Sequence, residues 1–477
     1  VMDVIANPKI KNREKLLSHG DVESRRIVLD ITEATLKRMD SYHRIKSIMR
    51  VEGTYLHIGV KSWDLSRKKN VYLIGGGKAC NAMAMAIEEI LGDRLTAGIA
   101  VVKLSEPNDS FTRTRVFVGG HPLPNQDGLQ ACKEIFKLVD GACADDLFIC
   151  VMSGGSSALM SCPVEGLTLQ DEIDTTDLLL KSGANIIEIN SVRRHISQMN
   201  GGRLAERISS RGSELIGFNI SDAVTNPPTK DINVPWPNFY GTPMGPDQTT
   251  LENALQVIRD YNLADRLPER VLHYLQSCGP GGETPKAFPR NTYFQLNTLP
   301  DSCAYAREIA EDMGLPVMVL TTFIEGESKE FGSFFASIAR EIQHHGRPIA
   351  PPCVVLSAGE AVTTILDSRA IKGHGGPSQE MVIGFAIGAE KAKGACMLSI
   401  DTEGTDGTTL AAGGIADSKS AAEARRNGVD LFDALRGHAS FEALTGIGDC
   451  VITGNTGTNV CDFNIMYVPP LEDPSEK

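Results

Sequence analysis

Short apolar runs rich in β-branched residues alternate along this chain with longer segments of helical periodicity. The clearest candidate strands are Val71 to Ile74, Arg115 to Val118, Leu147 to Met152 and Leu215 to Ile220. Such alternation is typical of βαβ units, so the sequence predicts an α/β fold with a mainly parallel sheet. Glycine, serine or aspartate follows each strand, at the sheet edge where ligands of α/β proteins bind. These strand ends are therefore the predicted ligand-binding positions.

Two domains are expected, because 477 residues exceed the size at which one hydrophobic core keeps growing. A glycine and proline cluster at Gly279 to Pro285 and a proline-rich junction at Pro348 to Pro352 interrupt the periodic segments. We predict a Rossmann-like parallel-sheet N-terminal domain over residues 27–285, with parts of residues 286–347 packing on it or linking it. A second, smaller α/β domain is predicted over residues 348–470.

Bulk properties narrow the class of partner. The formal net charge of -13, with no compensating block of Lys and Arg, disfavours nonspecific nucleic-acid binding. No apolar run approaches the length of a membrane span, and the polar start lacks a signal-peptide core, so we expect a cytoplasmic protein without a membrane partner. The 11 cysteines contain no C-x-x-C pair, which gives no reason to assign them a metal or redox site.

The first motif is a glycine-lysine turn. Gly75, Gly76, Gly77 and Lys78 follow a predicted strand and precede an Ala- and Met-rich helical segment. Glycines allow backbone N–H groups to approach an anion, and a lysine beside a helix N-terminus adds a full positive charge. The turn is not a Walker P-loop, and a dinucleotide fingerprint would require glycine where Cys80 stands. Phosphate binding and a tight turn with a solvated lysine are both open for this motif alone.

A second motif of the same kind follows the strand Leu147 to Met152. It consists of Ser153, Gly154, Gly155, Ser156 and Ser157. Repetition of the pattern at another strand end favours an anion site, to which a serine hydroxyl would donate. The nucleophile elbow of serine hydrolases, G-x-S-x-G, is absent, and helix capping is the alternative role of these serines.

Three further residues carry chemistry of interest. Arg193 lies in the basic run Asn190 to His195, and arginine suits planar carboxylate or phosphate groups. Asp222 ends a strand, where one carboxylate beside substrate phosphates is the usual way to hold Mg²⁺. Asp406 lies in an acidic, glycine-rich turn, for which metal binding and Asx hydrogen bonding are both open.

These motifs in this order resemble the type-2 glycerate kinase family, whose C-terminal module is called MOFRL. The resemblance covers roughly residues 28–468. Beyond the two glycine turns, it rests on the segments GGHPLP at Gly119 to Pro124, GGRLA at Gly201 to Ala205, and TGTNVCD from Thr456 to Asp462.

The resemblance implies phosphoryl transfer from ATP to D-glycerate, giving 2-phosphoglycerate, with Mg²⁺ and with the active site between the two domains. It implies that Lys78 clamps a phosphate and that the two glycine turns contact the nucleotide. It further implies that Arg193 binds the substrate carboxylate, that Asp222 binds metal or activates the hydroxyl, and that Asp406 binds metal. Homodimerisation is an expectation from family analogy.

One departure from the family pattern concerns the second domain. Where the family usually has GGRNQE, this chain has GGPSQE from Gly375 to Glu380, so Pro377 replaces a family arginine. Lys372 or His374 could supply the missing charge. A nucleotide- or metabolite-binding protein that has lost catalysis therefore remains one alternative to a kinase. A hydroxypyruvate reductase is the other, because proteins that resemble this family sometimes carry that label.

Overall fold

The structure is a computed structural model, and it describes residues 8–106, 109–224, 226–236 and 243–471. Its strands are β1 (Met49–Glu52), β2 (Tyr55–Ile58), β3 (Lys61–Asp64), β4 (Val71–Gly76), β5 (Ala97–Val102), β6 (Thr114–Val118), β7 (Leu147–Met152), β8 (Glu214–Ser221), β9 (Thr292–Thr298), β10 (Val317–Glu327), β11 (Cys353–Val362), β12 (Cys396–Asp401), β13 (Gly413–Asp417), β14 (Cys450–Val451) and β15 (Asp462–Val468).

The helices are α1 (Arg13–Leu16), α2 (Val22–Met39), α3 (Ser41–Ile48), α4 (Cys80–Leu91), α5 (Gln126–Asp140), α6 (Ser156–Leu159), α7 (Leu169–Ser182), α8 (Ile186–His195), α9 (Arg203–Ser210), α10 (Leu251–Asp260), α11 (Glu269–Ser277), α12 (Leu299–Asp312), α13 (Ser328–His345), α14 (Pro377–Ala389), α15 (Ser420–Arg426), α16 (Leu431–Arg436) and α17 (Ser440–Ile447). Within the described residues, no helix is both long enough and apolar enough to span a membrane.

The chain divides into two compact units. The parallel-sheet unit comprises Ser41–Ile220 and Lys230–Leu296, and the mixed-sheet unit comprises Val1–Asp40, Ser221–Thr229 and Asn297–Lys477. The predicted second domain, residues 348–470, lies inside the mixed-sheet unit, which also contains α2 and β10. Each unit is assembled from segments that are distant in sequence, because these segments complete the same sheet or hydrophobic core.

The parallel-sheet unit confirms the predicted α/β fold. Its main sheet has the order β6-β5-β4-β7-β8-β9, and the pairs from β6 to β8 run parallel. Its central strand β7 is buried along its whole length, as expected for a sheet covered by helices on both faces. The chain builds outward from β4 to β6 and then returns to β7, so the strand order reverses between β4 and β7. Ligands of doubly wound sheets bind at such a switch point.

The mixed-sheet unit departs from the expectation of mainly parallel strands. Its sheet has the order β10-β11-β15-β12-β13-β14; β10 and β11 run parallel, whereas the other described pairs are antiparallel. The last strand, β15, occupies the centre of the sheet between β11 and β12. Insertion of a terminal strand is a long-range pairing that local hydrophobic patterns do not encode. The unit is nevertheless an α/β domain, because helices such as α13 and α14 pack in its core.

The N-terminal helices belong to the mixed-sheet unit through a buried ion-pair cluster. Arg25 of α2 is 0% exposed and pairs with Asp417 and, at 2.7 Å, with Asp449. Its guanidinium also donates to the carbonyl of Leu16 at 3.1 Å. A buried cation requires such partners, because its desolvation is costly without them. The N-terminal segment is therefore tied to the end of β13 and to the residue before β14.

Candidate active site

The two predicted glycine turns lie side by side at the switch point of the parallel sheet. The backbone N–H of Lys78 donates to the carbonyl of Gly154 at 3.0 Å, and that of Ser153 donates to the carbonyl of Gly76 at 3.1 Å. The Ser153 hydroxyl accepts a hydrogen bond from the backbone N–H of Ala79 at 2.9 Å. The turn after β4 and the turn after β7 are therefore joined by hydrogen bonds into one surface.

Glycine is required at two positions of this surface. Gly77 has φ +123° and Gly155 has φ +87°, both in the region that other residues rarely adopt. A Cβ at Gly155 would lie 2.9 Å from Cγ of Lys78 and 3.2 Å from Cδ2 of His121. The side chains of Lys78 and His121 thus pack directly over the backbone of Gly155.

The electrostatic character of this surface suits an anion. Lys78 is half-buried and stands two residues before the start of α4, whose N-terminal N–H groups carry partial positive charge. Two serines of the second glycine turn have other contacts. Ser156 is buried at the start of α6, and the Ser157 carbonyl accepts from the Asn200 amide at 3.3 Å. That last bond ties the loop after α8 to the second glycine turn.

Arg193 occupies a desolvated position in the last turn of α8. Burial lowers its pKa, and its Nε has no hydrogen-bond partner among the described residues. Glu172 of α7 is its nearby counter-charge and is 1% exposed. Neither carboxylate oxygen of Glu172 meets hydrogen-bond geometry in the described chain; burial raises the pKa of this carboxyl and outweighs the nearby Ser161 hydroxyl and Arg193, which favour its charged form. Buried polar atoms are normally satisfied, so this pair has unused capacity to bind a polar ligand.

Asp222 directly follows β8 and lies in the mixed-sheet unit. Its carboxylate is half-buried and accepts from the Asn459 amide at 3.4 Å, while its backbone carbonyl accepts from the Cys461 thiol at 3.4 Å. One partly accessible carboxylate is what Mg²⁺ uses beside substrate phosphates, so Asp222 fits that ion.

Asp406 lies in the loop after β12, and its buried side chain packs against the first turn of α14. Its carboxylate accepts from the backbone N–H groups of Ser378 (3.2 Å) and Gln379 (2.9 Å), and from the Gln379 amide (3.0 Å). Burial raises the pKa of Asp406 to about 7. Across the described residues, no group of three or more His, Cys, Asp or Glu side chains is arranged to hold a metal. The role of Asp406 as a metal ligand stays a prediction, and any metal there would compete with these three donors.

Pro377 begins α14, a position that proline favours because the missing N–H has no helical partner there. The two side chains considered as replacements for the family arginine are both paired. Lys372 Nζ binds Asp433 at 2.9 Å, and His374 Nδ1 contacts Glu442 at 2.8 Å. The cation that Pro377 lacks is therefore not supplied by either residue in this conformation.

Comparison with known proteins identifies the family. Residues 27–276 match the family described as a domain of unknown function (DUF4147), and residues 353–462 match the MOFRL family. A glycerate 2-kinase from Pyrococcus horikoshii is 35% identical over 457 residues, which cover 94% of this chain and 98% of that protein. The chain belongs to the glycerate 2-kinase family. The predicted resemblance is confirmed.

Further relatives agree with this membership. A D-glycerate 2-kinase from Thermotoga maritima is 33% identical over 83% of this chain and 90% of its own length. The crystal structure of a glycerate kinase from the same organism superposes with a TM-score of 0.73 at 30% identity, covering 93% of this chain and 99% of that one. The family also contains a protein from Agrobacterium vitis with a provisional hydroxypyruvate reductase name, 33% identical over 83% of this chain and 86% of its own.

Glu172 and His121 have no role predicted from the sequence. Glu172 lies in an ordinary amphipathic helix, and its burial against Arg193 has no sequence signal. His121 did have a sequence signal, because it is the only ionisable residue in the GGHPLP segment. Its position after β6, at the carboxyl edge of the sheet, was the available clue.

Proposed function

We propose that this protein is an ATP-dependent kinase that phosphorylates D-glycerate, or a closely related short hydroxy acid, to give 2-phosphoglycerate or its analogue. The observation that carries the proposal is the pair of hydrogen-bonded glycine turns, with Lys78 between them, at the switch point of the parallel sheet. Family membership supports it, because the relatives named glycerate 2-kinase align over most of both chains.

Phosphoryl transfer asks the protein mainly for positioning and charge neutralisation. The acid hydroxyl attacks the γ-phosphorus, the bond to the bridging oxygen breaks, and ADP leaves with that oxygen. In the proposed mechanism the Lys78 ammonium binds the phosphoryl oxygens, on which negative charge is concentrated. The turn from Ser153 to Ser157 is proposed to contact the nucleotide phosphates through N–H and hydroxyl donors. Gly75 and Gly76 lie within β4, and the N–H of Gly77 donates to the Val101 carbonyl at 3.3 Å, so the proposed contribution of Gly75 to Gly77 is close approach of the backbone to the nucleotide.

Arg193 is proposed to bind the carboxylate of the acid. Its guanidinium is already desolvated, and its unpartnered Nε is available to a planar anion. A charge-assisted bond formed there would be stronger than the same bond in water, because the site has a lower local dielectric. Specificity for hydroxy acids over neutral alcohols would follow from this one contact.

Asp222 is proposed to hold Mg²⁺ or to accept the proton of the attacking hydroxyl. Both roles need a carboxylate that is partly accessible, as that of Asp222 is. Bound Mg²⁺ would neutralise charge on the nucleotide phosphates. Asp406 is retained as a proposed second ligand, with the competition from Ser378 and Gln379 described above.

The reductase alternative is less well supported by the same turn. A dinucleotide fingerprint places glycine where Cys80 begins α4, and here the Cys80 side chain is fully buried against the sheet. The residue after β5, where an acidic group would bind a ribose, is Lys103. Cys80 thus stands where the fingerprint uses glycine for close helix–strand packing, and Lys103 stands where it uses a carboxylate to bind the ribose.

The test is a coupled assay of ADP release from Mg-ATP with D-glycerate, beside a panel of four-carbon sugar acids and an NADH oxidation assay with hydroxypyruvate. ADP release with glycerate is the expected result. Turnover with a different acid only would show that the protein is a kinase with another acceptor substrate. NADH oxidation without ADP release would contradict the proposal, and nucleotide binding without turnover on any acid would favour a catalytically inactive relative.

A further inference from the structure

The GGHPLP segment crosses the carboxyl edge of the parallel sheet. The segment starts at the end of β6, and β5 and β4 lie between β6 and β7 in the sheet. At the usual strand spacing, β6 and β7 are therefore roughly 14 Å apart. The N–H of Gly119 donates to the carbonyl of Val102 at the end of β5 at 2.9 Å. A Cβ at Gly119 would lie 2.9 Å from the Leu159 carbonyl at the end of α6. The start of the loop therefore packs on the end of α6, the short helix that continues from the second glycine turn.

This path places one ionisable side chain at the switch point. Cδ2 and Nε2 of His121 lie 3.2 and 3.4 Å from the position that a Cβ at Gly155 would take, and Cγ of Lys78 lies 2.9 Å from the same point. An imidazole donates an N–H in either its neutral or its charged form. A ring nitrogen that adjoins this glycine, beside a lysine whose side-chain stem adjoins the same glycine, is suited to bind one phosphate group together with that lysine's ammonium.

We propose that His121 is a phosphate-binding residue of this site, and that its ring N–H and the Lys78 ammonium together hold oxygens of a nucleotide phosphate that ATP and ADP share, above Gly155. The proposal rests on the function proposed above, which assigns this surface to nucleotide. It adds a named contact from a loop that belongs to neither glycine turn.

The experiment compares His121→Phe, which keeps a ring of similar size without a donor, with His121→Gln, which keeps an N–H. Calorimetric titration with ADP should show an affinity about 10- to 100-fold lower for His121→Phe, as for loss of a charge-assisted hydrogen bond, and a smaller loss for His121→Gln. The KM for glycerate should be unchanged in both variants. His43→Phe, an exposed site on α3, serves as the matched control and should bind ADP like the wild type.

Unchanged ADP affinity in His121→Phe would overturn the proposal. So would a raised KM for glycerate with normal ADP binding, which would assign His121 to the acid, or a lowered melting temperature with equal losses for both ligands, which would make its role structural. ADP binding requires no turnover. A wild-type protein that binds ADP but phosphorylates none of the acids would contradict the proposed kinase activity and leave the His121 contact in place, whereas a wild-type protein that binds no ADP overturns both proposals.

Discussion

At the scale of single residues, the proposed site depends on how closely Lys78 approaches the sheet edge. Its backbone N–H is bonded to Gly154, and its side chain adjoins Gly155. Such placement is efficient for catalysis, because a preorganised cation needs little reorganisation when charge develops. The lysine and the second glycine turn therefore act as one unit, although 76 positions separate Lys78 from Gly154 in the chain.

Lys78→Ala should lower kcat/KM by about 10²- to 10³-fold, the usual effect of removing one preorganised group that stabilises transition-state charge. The protein should remain folded, since the side chain is only half-buried. The coupled ADP assay measures the rate, and thermal unfolding measures the fold. Lys181→Ala, an exposed lysine on α7, is the control and should leave the rate unchanged. A Lys78→Ala enzyme with the wild-type rate would contradict the site assignment.

Gly155→Ala should reduce activity more than its strain alone explains. The left-handed φ costs about 1–2 kcal/mol for any residue with a Cβ, and the new methyl group would also displace Lys78 and His121. Gly166→Ala is the matched control, because Gly166 has φ +89° but no described heavy atom near its Cβ position. Both variants should lose similar stability by urea unfolding, and only Gly155→Ala should lose kcat/KM. Equal activity in the two would show that the contact with Lys78 does not matter.

At the scale of elements, α7 and α8 carry a charged pair in a desolvated position. The folded state holds the pKa of Glu172 above its usual value, so folding favours the protonated form. By linkage, the stability contributed by that protonated form is present at low pH and is lost as the pH rises from the usual pKa through the folded one. Helix packing, and not local sequence, creates this pH dependence.

Glu172→Gln removes the titration while keeping the shape of the side chain. Its melting temperature should equal that of the wild type near pH 4.5 and exceed it by several degrees at pH 8, where the wild-type carboxylate is charged and buried. Thermal unfolding across this pH range checks the sign. Glu165→Gln, an exposed glutamate before α7, should show no such trend. A stability advantage that grows toward acid pH would contradict the assigned direction.

At the scale of the whole molecule, Arg25 joins the N-terminal helices to the mixed sheet that is formed by the end of the chain. Arg25→Met would leave Asp417 and Asp449 buried without their cation, and should cost about 3–5 kcal/mol of unfolding free energy. Arg26→Ala breaks an exposed pair with Glu23 on the same helix and should cost less than about 0.5 kcal/mol. Urea unfolding followed by circular dichroism measures both; equal effects would show that the cluster is not stabilising.

Much of the parallel-sheet unit could be predicted from sequence. The predicted strand Leu147 to Met152 is β7, and the predicted Val71 to Ile74 begins β4 and ends only two residues short of it. Hydrophobic runs and glycine turns are local signals, because the interactions that they reflect are between residues close in sequence. The antiparallel pairing of β15 and the place of α2 were not predictable in this way, because both arise from contacts between opposite ends of the chain.

The sequence by itself determined the α/β class and the two glycine turns, and it supplied the residues proposed to bind phosphate and carboxylate. The reason is that backbone permissiveness and side-chain charge are properties of the residues themselves. Only the tertiary structure decided which of them meet. It joined Lys78 to Gly154 and Gly155, brought His121 across the sheet edge, and buried Arg193 with Glu172. The physical reason is that strand order and helix packing set the distances between residues far apart in the chain. Burial then sets the strength of the electrostatic interactions between them.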